Sequence, residues 1–201
     1  SSAASDVYKR RISDGSLNTR SAFCSMPYSD IFPDFYGTLS YAPDQIEAYF
    51  HVATCHGFAI ACHAIGDEAN TIVLNAAAST HAHGSIEHAQ MLKPADIPRF
   101  AKLGLTASIQ PQHAMDDRDV ITRFWANLGG IPYAFKALHD AGVRLRMGSD
   151  APVAPLDPWM AISAAVFGTE SSDREPFQPE QCLDARTALA ASTAVGRDRP
   201  E

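Results

Sequence analysis

Four times between Pro43 and Asp150 the chain runs through one cycle: a helical periodicity, a glycine, a short apolar run, then polar residues. That is the punctuation of βα units, and it restricts the fold to an α/β class built on parallel strands. In the first unit Ile46, Tyr49, Phe50 and Ala53 fall at i, i+3, i+4 and i+7, one apolar helix face closing at Gly57. Residues 58–63 follow without polar alternation, as suits a parallel strand covered on both faces. Ala69, Ile72, Val73 and Ala76 mark the second helix, which precedes a strand over 84–88. The third unit runs over 94–103, turns at Gly104 and enters a strand over 105–110. The fourth sets Phe135 and Leu138 before Gly142 and a strand over 143–150. Further helices are expected over 158–166 and 184–192. Residues 10–16 read as a short strand entering a turn, and the next two dozen as a long loop of the kind that usually carries function.

Composition narrows the function. The chain of 201 residues is 46% hydrophobic, enough for one substantial core, and no apolar stretch approaches the roughly 20 residues of a membrane span. Its net charge of −7 argues against a phosphate-tracking nucleic-acid partner. Cys24, Cys55, Cys62 and Cys182 have neither metal spacing nor scaffold density and read as buried free thiols. The start Ser-Ser-Ala-Ala-Ser lacks the basic and apolar regions of a secretory signal, so a cytoplasmic location is expected.

His63, His88 and Asp150 each stand where an apolar run gives way to Gly, Ala or Asp. In parallel α/β sheets and barrels the carboxyl ends of the strands open on one face, so these three side chains are expected to converge there. Two imidazoles and a carboxylate form a divalent-metal donor set, for which zinc and iron are suited. His81-Ala-His83 has a donor-like spacing too, but it follows an Ala-rich helix end and reads as a solvent-facing loop. His51, His56 and His139 fall within helices as structural residues. His113, past the third strand, is placed to reach a substrate, and Glu87 alternates to the side opposite His88, toward the helices or a neighbour it orients.

Five motifs then coincide in order and spacing: Asp14-Gly-Ser-Leu-Asn-Thr-Arg20, His63-Ala-Ile-Gly-Asp67, Ile86-Glu-His-Ala-Gln90, Gln110-Pro-Gln-His113 and Gly148-Ser-Asp-Ala-Pro-Val153. Together they resemble the YtcJ-like branch of the amidohydrolase superfamily, over residues 14–192. The resemblance implies a TIM (β/α)8 barrel, one or two divalent metals such as zinc, iron or manganese, and hydrolysis of an amide-type C–N bond by a metal-activated water. His63 would be the fifth-strand ligand and His88 the sixth-strand ligand. Asp150 would be the eighth-strand carboxylate, binding metal and relaying a proton. Gln110, His113 and Arg20 are expected on the substrate side. An ester or lactone would suit the same chemistry, and the loop expected over 111–132 would set the choice.

The sequence also departs from that pattern. The family opens with a His-x-His pair on its first strand, and no histidine precedes Asp14 here. Its bridging-lysine position falls on Arg10, with Lys9 one place away, and an arginine stays protonated. Five strands, the fourth to the eighth in the family frame, cannot close an eight-stranded barrel. The chain is therefore expected to form an incomplete barrel domain over 1–201, with an atypical segment at 1–13 and the family-like region at 14–192. Open sheet edges would need covering, by a homo-oligomer partner or another chain. The alternative function is a catalytically dead fragment or interaction module that pairs through those edges. Expected partners are a small-molecule substrate, with no nucleic acid and no membrane.

Overall fold

The computed structural model describes residues 9–125, 130–169, 171 and 173–193, with Lys9, Arg10 and Arg11 described in backbone only. In chain order the elements are β1 (Lys9–Ile12), α1 (Pro43–Cys55), β2 (Ile60–Ala64), α2 (Asp67–Thr80), β3 (Gly84–His88) and β4 (Met91–Leu92). There follow α3 (Ile97–Leu103), β5 (Thr106–Ile109), α4 (Pro111–Phe124), β6 (Ile131–Pro132) and α5 (Phe135–Asp140). The last are β7 (Arg144–Met147), α6 (Pro158–Phe167), a 3-10 turn (Pro179–Gln181) and α7 (Ala185–Thr193). The long connection expected before Pro43 is present, pinned by an antiparallel bridge between Asp14 and Leu39 and by backbone bonds such as the Ser40 N–H to the Ser13 carbonyl at 2.8 Å.

Five strands form one parallel sheet in the order β1-β2-β3-β5-β7, and β4 pairs antiparallel with β6 in a two-stranded ribbon. Because parallel crossovers are right-handed, strands added steadily in one direction place their helices on the same face. Ile60, Cys62, Ile86, Ala107 and Leu145 are the buried residues of that covered face, aligned across the strands by register. Ala61, Ser85, Glu87, Ser108 and Arg146 alternate to the other face and line an open groove. The strand expected to be covered on both faces is thus covered by helices on one only.

Helix ends follow local chemistry. Pro43 opens α1, where its missing N–H leaves no bond unmade, and Gln45 Oε1 accepts from the Ala42 N–H at 3.0 Å. Asp157 accepts from the Trp159 N–H at 2.9 Å to start α6, and Asp184 does the same for Thr187 in α7. Gly104, at φ +68, ends α3 in the left-handed conformation that glycine adopts without strain. The apolar faces read from the sequence are the buried ones: Ile46, Phe50 and Ala53 in α1, and Ala69, Val73 and Ala76 in α2. Leu74, Phe100 and Leu138 are fully buried, each contributing about 1.5–3 kcal/mol by removal from water.

Two expectations need correction. Residues 111–132 are not one loop, since Pro111–Phe124 is a helix of 14 residues. Its buried face carries Gln112, His113 and Asp117 among Met115, Ile121 and Phe124, and those polar residues break the apolar stripe that would have announced it. The thiols also differ, because Cys24 and Cys62 are buried but Cys55 is exposed and Cys182 intermediate. In register Arg10 pairs with Ala61 and Lys9 with Ile60, while the choice of bridging side chain between them lies outside the described residues. Among the described residues no helix is long and apolar enough to cross a membrane.

Candidate metal centre

The parallel register places His63 beside Glu87 and Ala64 beside His88 at the carboxyl ends of β2 and β3. Strict alternation would send His88 to the helix-covered face. Its backbone is instead left-handed, φ +73, as is that of Ala89, φ +45, and the imidazole lines the groove together with Glu87. Glu87 therefore shares the groove with His88 and does not face the helices, one of the two places left open for it by the sequence, because it is His88 that departs from alternation. At the exit of β7 the chain is held by the Gly148 N–H donating to the Ile109 carbonyl at 3.0 Å, and Asp150 again takes a positive φ, +53.

The three residues singled out from the strand ends are neighbours. The rings of His63 and His88 meet edge to face with centroids 4.6 Å apart, and His88 Nε2 lies 3.9 Å from Asp150 Oδ2. His113, in the first turn of α4, lies nearly parallel to His88 at 5.8 Å, so three imidazoles stand in a row. Beside them is a groove of about 410 Å³, lined by Glu87, His88, Ser108, Gln110, Arg146 and Asp150 among others.

The substrate-side expectations divide. Gln110 lines the groove, its Nε2 donating to the Ser108 carbonyl at 3.3 Å and its buried Oε1 meeting no hydrogen-bond donor. His113 Nε2 is likewise buried without a partner. Arg20 does not line the groove; its guanidinium pairs with Asp30 at 3.0 Å and sits 4.1 Å over the Phe124 ring.

Other buried polar residues hold the loops that carry these side chains. Asp14 is fully buried and accepts the N–H groups of Phe23, Ile65 and Gly66 at 2.9, 3.0 and 2.8 Å. Asn70 Nδ2 donates to the carbonyls of Gly66 and Ala64 at 2.9 and 3.2 Å. Asp117 collects Asn18 at 2.8 Å, Gln90 at 3.0 Å and the Tyr133 hydroxyl at 2.7 Å, joining two of the five motifs through one carboxylate. Burial and the Asp117 carboxylate hold the Tyr133 phenol well above its ordinary range. Sequence reasoning missed Asp14 and Asp117 as anchors, because their partners lie far along the chain.

The donor chemistry suits a divalent ion. Two donors each about 2.0–2.2 Å from one ion stand at most about 4 Å apart, a limit the 3.9 Å between His88 Nε2 and Asp150 Oδ2 meets. His63 Nε2 lies 3.1 Å from the Gly15 carbonyl, which can only accept, so Nε2 carries the hydrogen and Nδ1 the lone pair. Among the described residues, no group of three or more His, Cys, Asp or Glu side chains is gathered closely enough to cage an ion by itself. The chain thus supplies donors of the right kind and a pair at the right spacing.

The sequence pattern of the amidohydrolase family matches residues 7–197, nearly the whole chain. The chain belongs to the amidohydrolase family. It is 33% identical over 189 residues to "Protein LONG AFTER FAR-RED 3" of Arabidopsis thaliana, covering 90% of this chain and 32% of that protein. It is 30% identical over 187 residues to "Putative amidohydrolase YtcJ" of Bacillus subtilis (strain 168), covering 90% and 35%. Among solved structures, an uncharacterized metal-dependent hydrolase from Pyrococcus horikoshii OT3 is similar with a TM-score of 0.83 at 30% identity, over 92% of this chain and 38% of that one. Its counterpart from Pyrococcus furiosus gives 0.80 at 31%, with the same coverage. The chain spans about a third of the length of these curated relatives.

Proposed function

We propose that this chain forms strands four to eight of a TIM (β/α)8 barrel and carries part of a metal-dependent active site that hydrolyses an amide-type C–N bond in a small molecule. His63, His88 and Asp150 would hold the divalent ion, zinc first, with iron or manganese as the alternatives. The observation that carries this reading is the 3.9 Å approach of His88 Nε2 to Asp150 Oδ2, with the His63 ring 4.6 Å from that of His88. The likeness to two hydrolases described as metal-dependent supports it.

A divalent ion bound there would supply a Lewis acid that acidifies water and polarises a carbonyl. Asp150, a quarter exposed beside His88, takes a proton from the attacking water and returns it to the leaving nitrogen. His63 offers Nδ1, because Nε2 is committed to the Gly15 carbonyl. Gln110 Oε1 and His113 Nε2 are buried polar atoms that a substrate amide would satisfy, and such satisfaction favours substrates able to hydrogen-bond.

Metal content of the natural protein, measured by mass spectrometry after dialysis, tests the reading. One or two ions per chain are expected, lost in His63→Ala plus His88→Ala while the far-ultraviolet circular dichroism is kept. Asp150→Asn is expected to lower kcat by about 10²–10⁴-fold on an amide substrate panel. Equal metal content in the double variant and the wild type would overturn the assignment.

A further inference from the structure

We infer that Asp14 is the positioning residue for His63: it fixes which imidazole nitrogen is free to meet a metal ion. This inference rests on the reading of His63 as a donor, and it adds to that reading a residue that touches neither ion nor substrate. Asp14 Oδ1 lies 3.4 Å from His63 Nε2, and the Gly15 carbonyl lies 3.1 Å from the same atom. The carbonyl takes the Nε2 hydrogen bond and the carboxylate beside it sets a negative charge against that hydrogen, so both favour the tautomer protonated at Nε2 and leave the Nδ1 lone pair available. A ligand histidine is commonly oriented in this way, by a carboxylate or carbonyl on its other nitrogen.

The carboxylate is itself immobilised. It is fully buried, Oδ2 accepts from the Phe23 and Gly66 N–H groups at 2.9 and 2.8 Å, and Oδ1 accepts from the Ile65 N–H at 3.0 Å. Ile65 and Gly66 lie in the loop that leaves β2 directly after His63. The backbone on which His63 stands and the ring it carries are therefore referred to one carboxylate. Gly15 must be glycine for the turn to close, since a Cβ there would meet Ser21 Oγ at 1.9 Å.

Asp14→Asn separates this role from simple bracing. Oδ2 serves two backbone donors and Oδ1 serves one, so the single amide oxygen of asparagine takes the Oδ2 place. The amide nitrogen then faces His63 Nε2. That puts a donor against a donor, and the opposite tautomer, protonated at Nδ1, gains population.

The experiment has two readouts on the natural protein. Nitrogen-15 correlation spectra of the metal-free form, with His63 assigned by its absence from His63→Ala, give the tautomer. Zinc titration in competition with a chromophoric chelator gives the affinity. The wild type is expected to show the Nε2–H tautomer, and Asp14→Asn a mixture with zinc affinity lower by about 10–100-fold. A wild-type His63 protonated at Nδ1 would overturn the proposal without recourse to any variant. So would an Asp14→Asn protein that is less stable but keeps the wild-type tautomer and zinc affinity. If the wild type binds no zinc, the metal reading fails, and the tautomer alone decides whether Asp14 sets the ring.

Discussion

Replacing Tyr133 by phenylalanine removes one hydroxyl from the Asp117 cluster, and with it the bond donated to Asp117 and the bond accepted from Gln90 Nε2, which keeps Asp117 as its acceptor. The hydroxyl donates to Asp117 Oδ2 at 2.7 Å, while Gln90 serves the same oxygen at 3.0 Å and Asn18 serves Oδ1 at 2.8 Å. The substitution leaves the ring in place and the carboxylate with two of its three donors. A hydrogen bond to a charged acceptor contributes about 1.5–3 kcal/mol, and since Oδ2 keeps Gln90 the expected loss is in the lower half, about 2 kcal/mol. Burial first, and Asp117 second, raise the folded-state pKa of Tyr133 above its ordinary 10.0. The folded chain therefore holds this proton to higher pH than the unfolded one, and the stabilisation is complete below about pH 10 and declines above it. Urea unfolding followed by circular dichroism at about pH 7.5 and about pH 10.5 reads both effects, with a common slope on denaturant. The wild type should exceed Tyr133→Phe by about 2 kcal/mol at the lower pH and by less at the higher. A gap under about 0.5 kcal/mol at the lower pH, or one that widens as pH rises, refutes the reasoning.

Two further outcomes follow from local geometry. Gly84→Ala should destabilise the fold by at least about 1–3 kcal/mol in the same unfolding assay, because its φ is +139 and a Cβ would lie 2.0 Å from the Ile60 carbonyl oxygen; an unchanged midpoint contradicts this. Burial pushes the Cys24 and Cys62 thiols up to about 12, whereas Cys55 is exposed, so a thiol reagent near pH 8 should modify Cys55 first and reach the other two only on unfolding. Reaction of Cys62 at the rate of Cys55 in the native protein, read by peptide mass spectrometry, would disprove that order.

The order of strands and helices could be read from the sequence because each unit is marked locally. Gly57, Gly104 and Gly142 end helices at positive φ, and Ile46, Phe50, Ala69 and Val73 bury the faces their spacing defines. The strand-end residues could be read for a related reason, since a His or Asp closing an apolar run stands out against the Val or Ile that packing prefers there. Helix α4 was hidden because its inner face is used for hydrogen bonds by Asp117 and for ring stacking by His113. Asp14 looked like an ordinary turn residue, since two of its partners, Ile65 and Gly66, lie some fifty positions away and no local pattern announces them. The direction of His88 was also out of reach, because a left-handed residue at a strand end overrides the period of two on which facing is judged.

That left-handed geometry has a consequence for variation at the site. His88 and Asp150 hold a backbone shape that costs a side-chain-bearing residue roughly 1–2 kcal/mol, though an aspartate tolerates it better than most. Glycine at position 150 would relax the chain while deleting the carboxylate. Selection for thermal robustness and selection for turnover should therefore pull that position toward different residues, and a persistent aspartate there would mark a lineage in which chemistry prevailed.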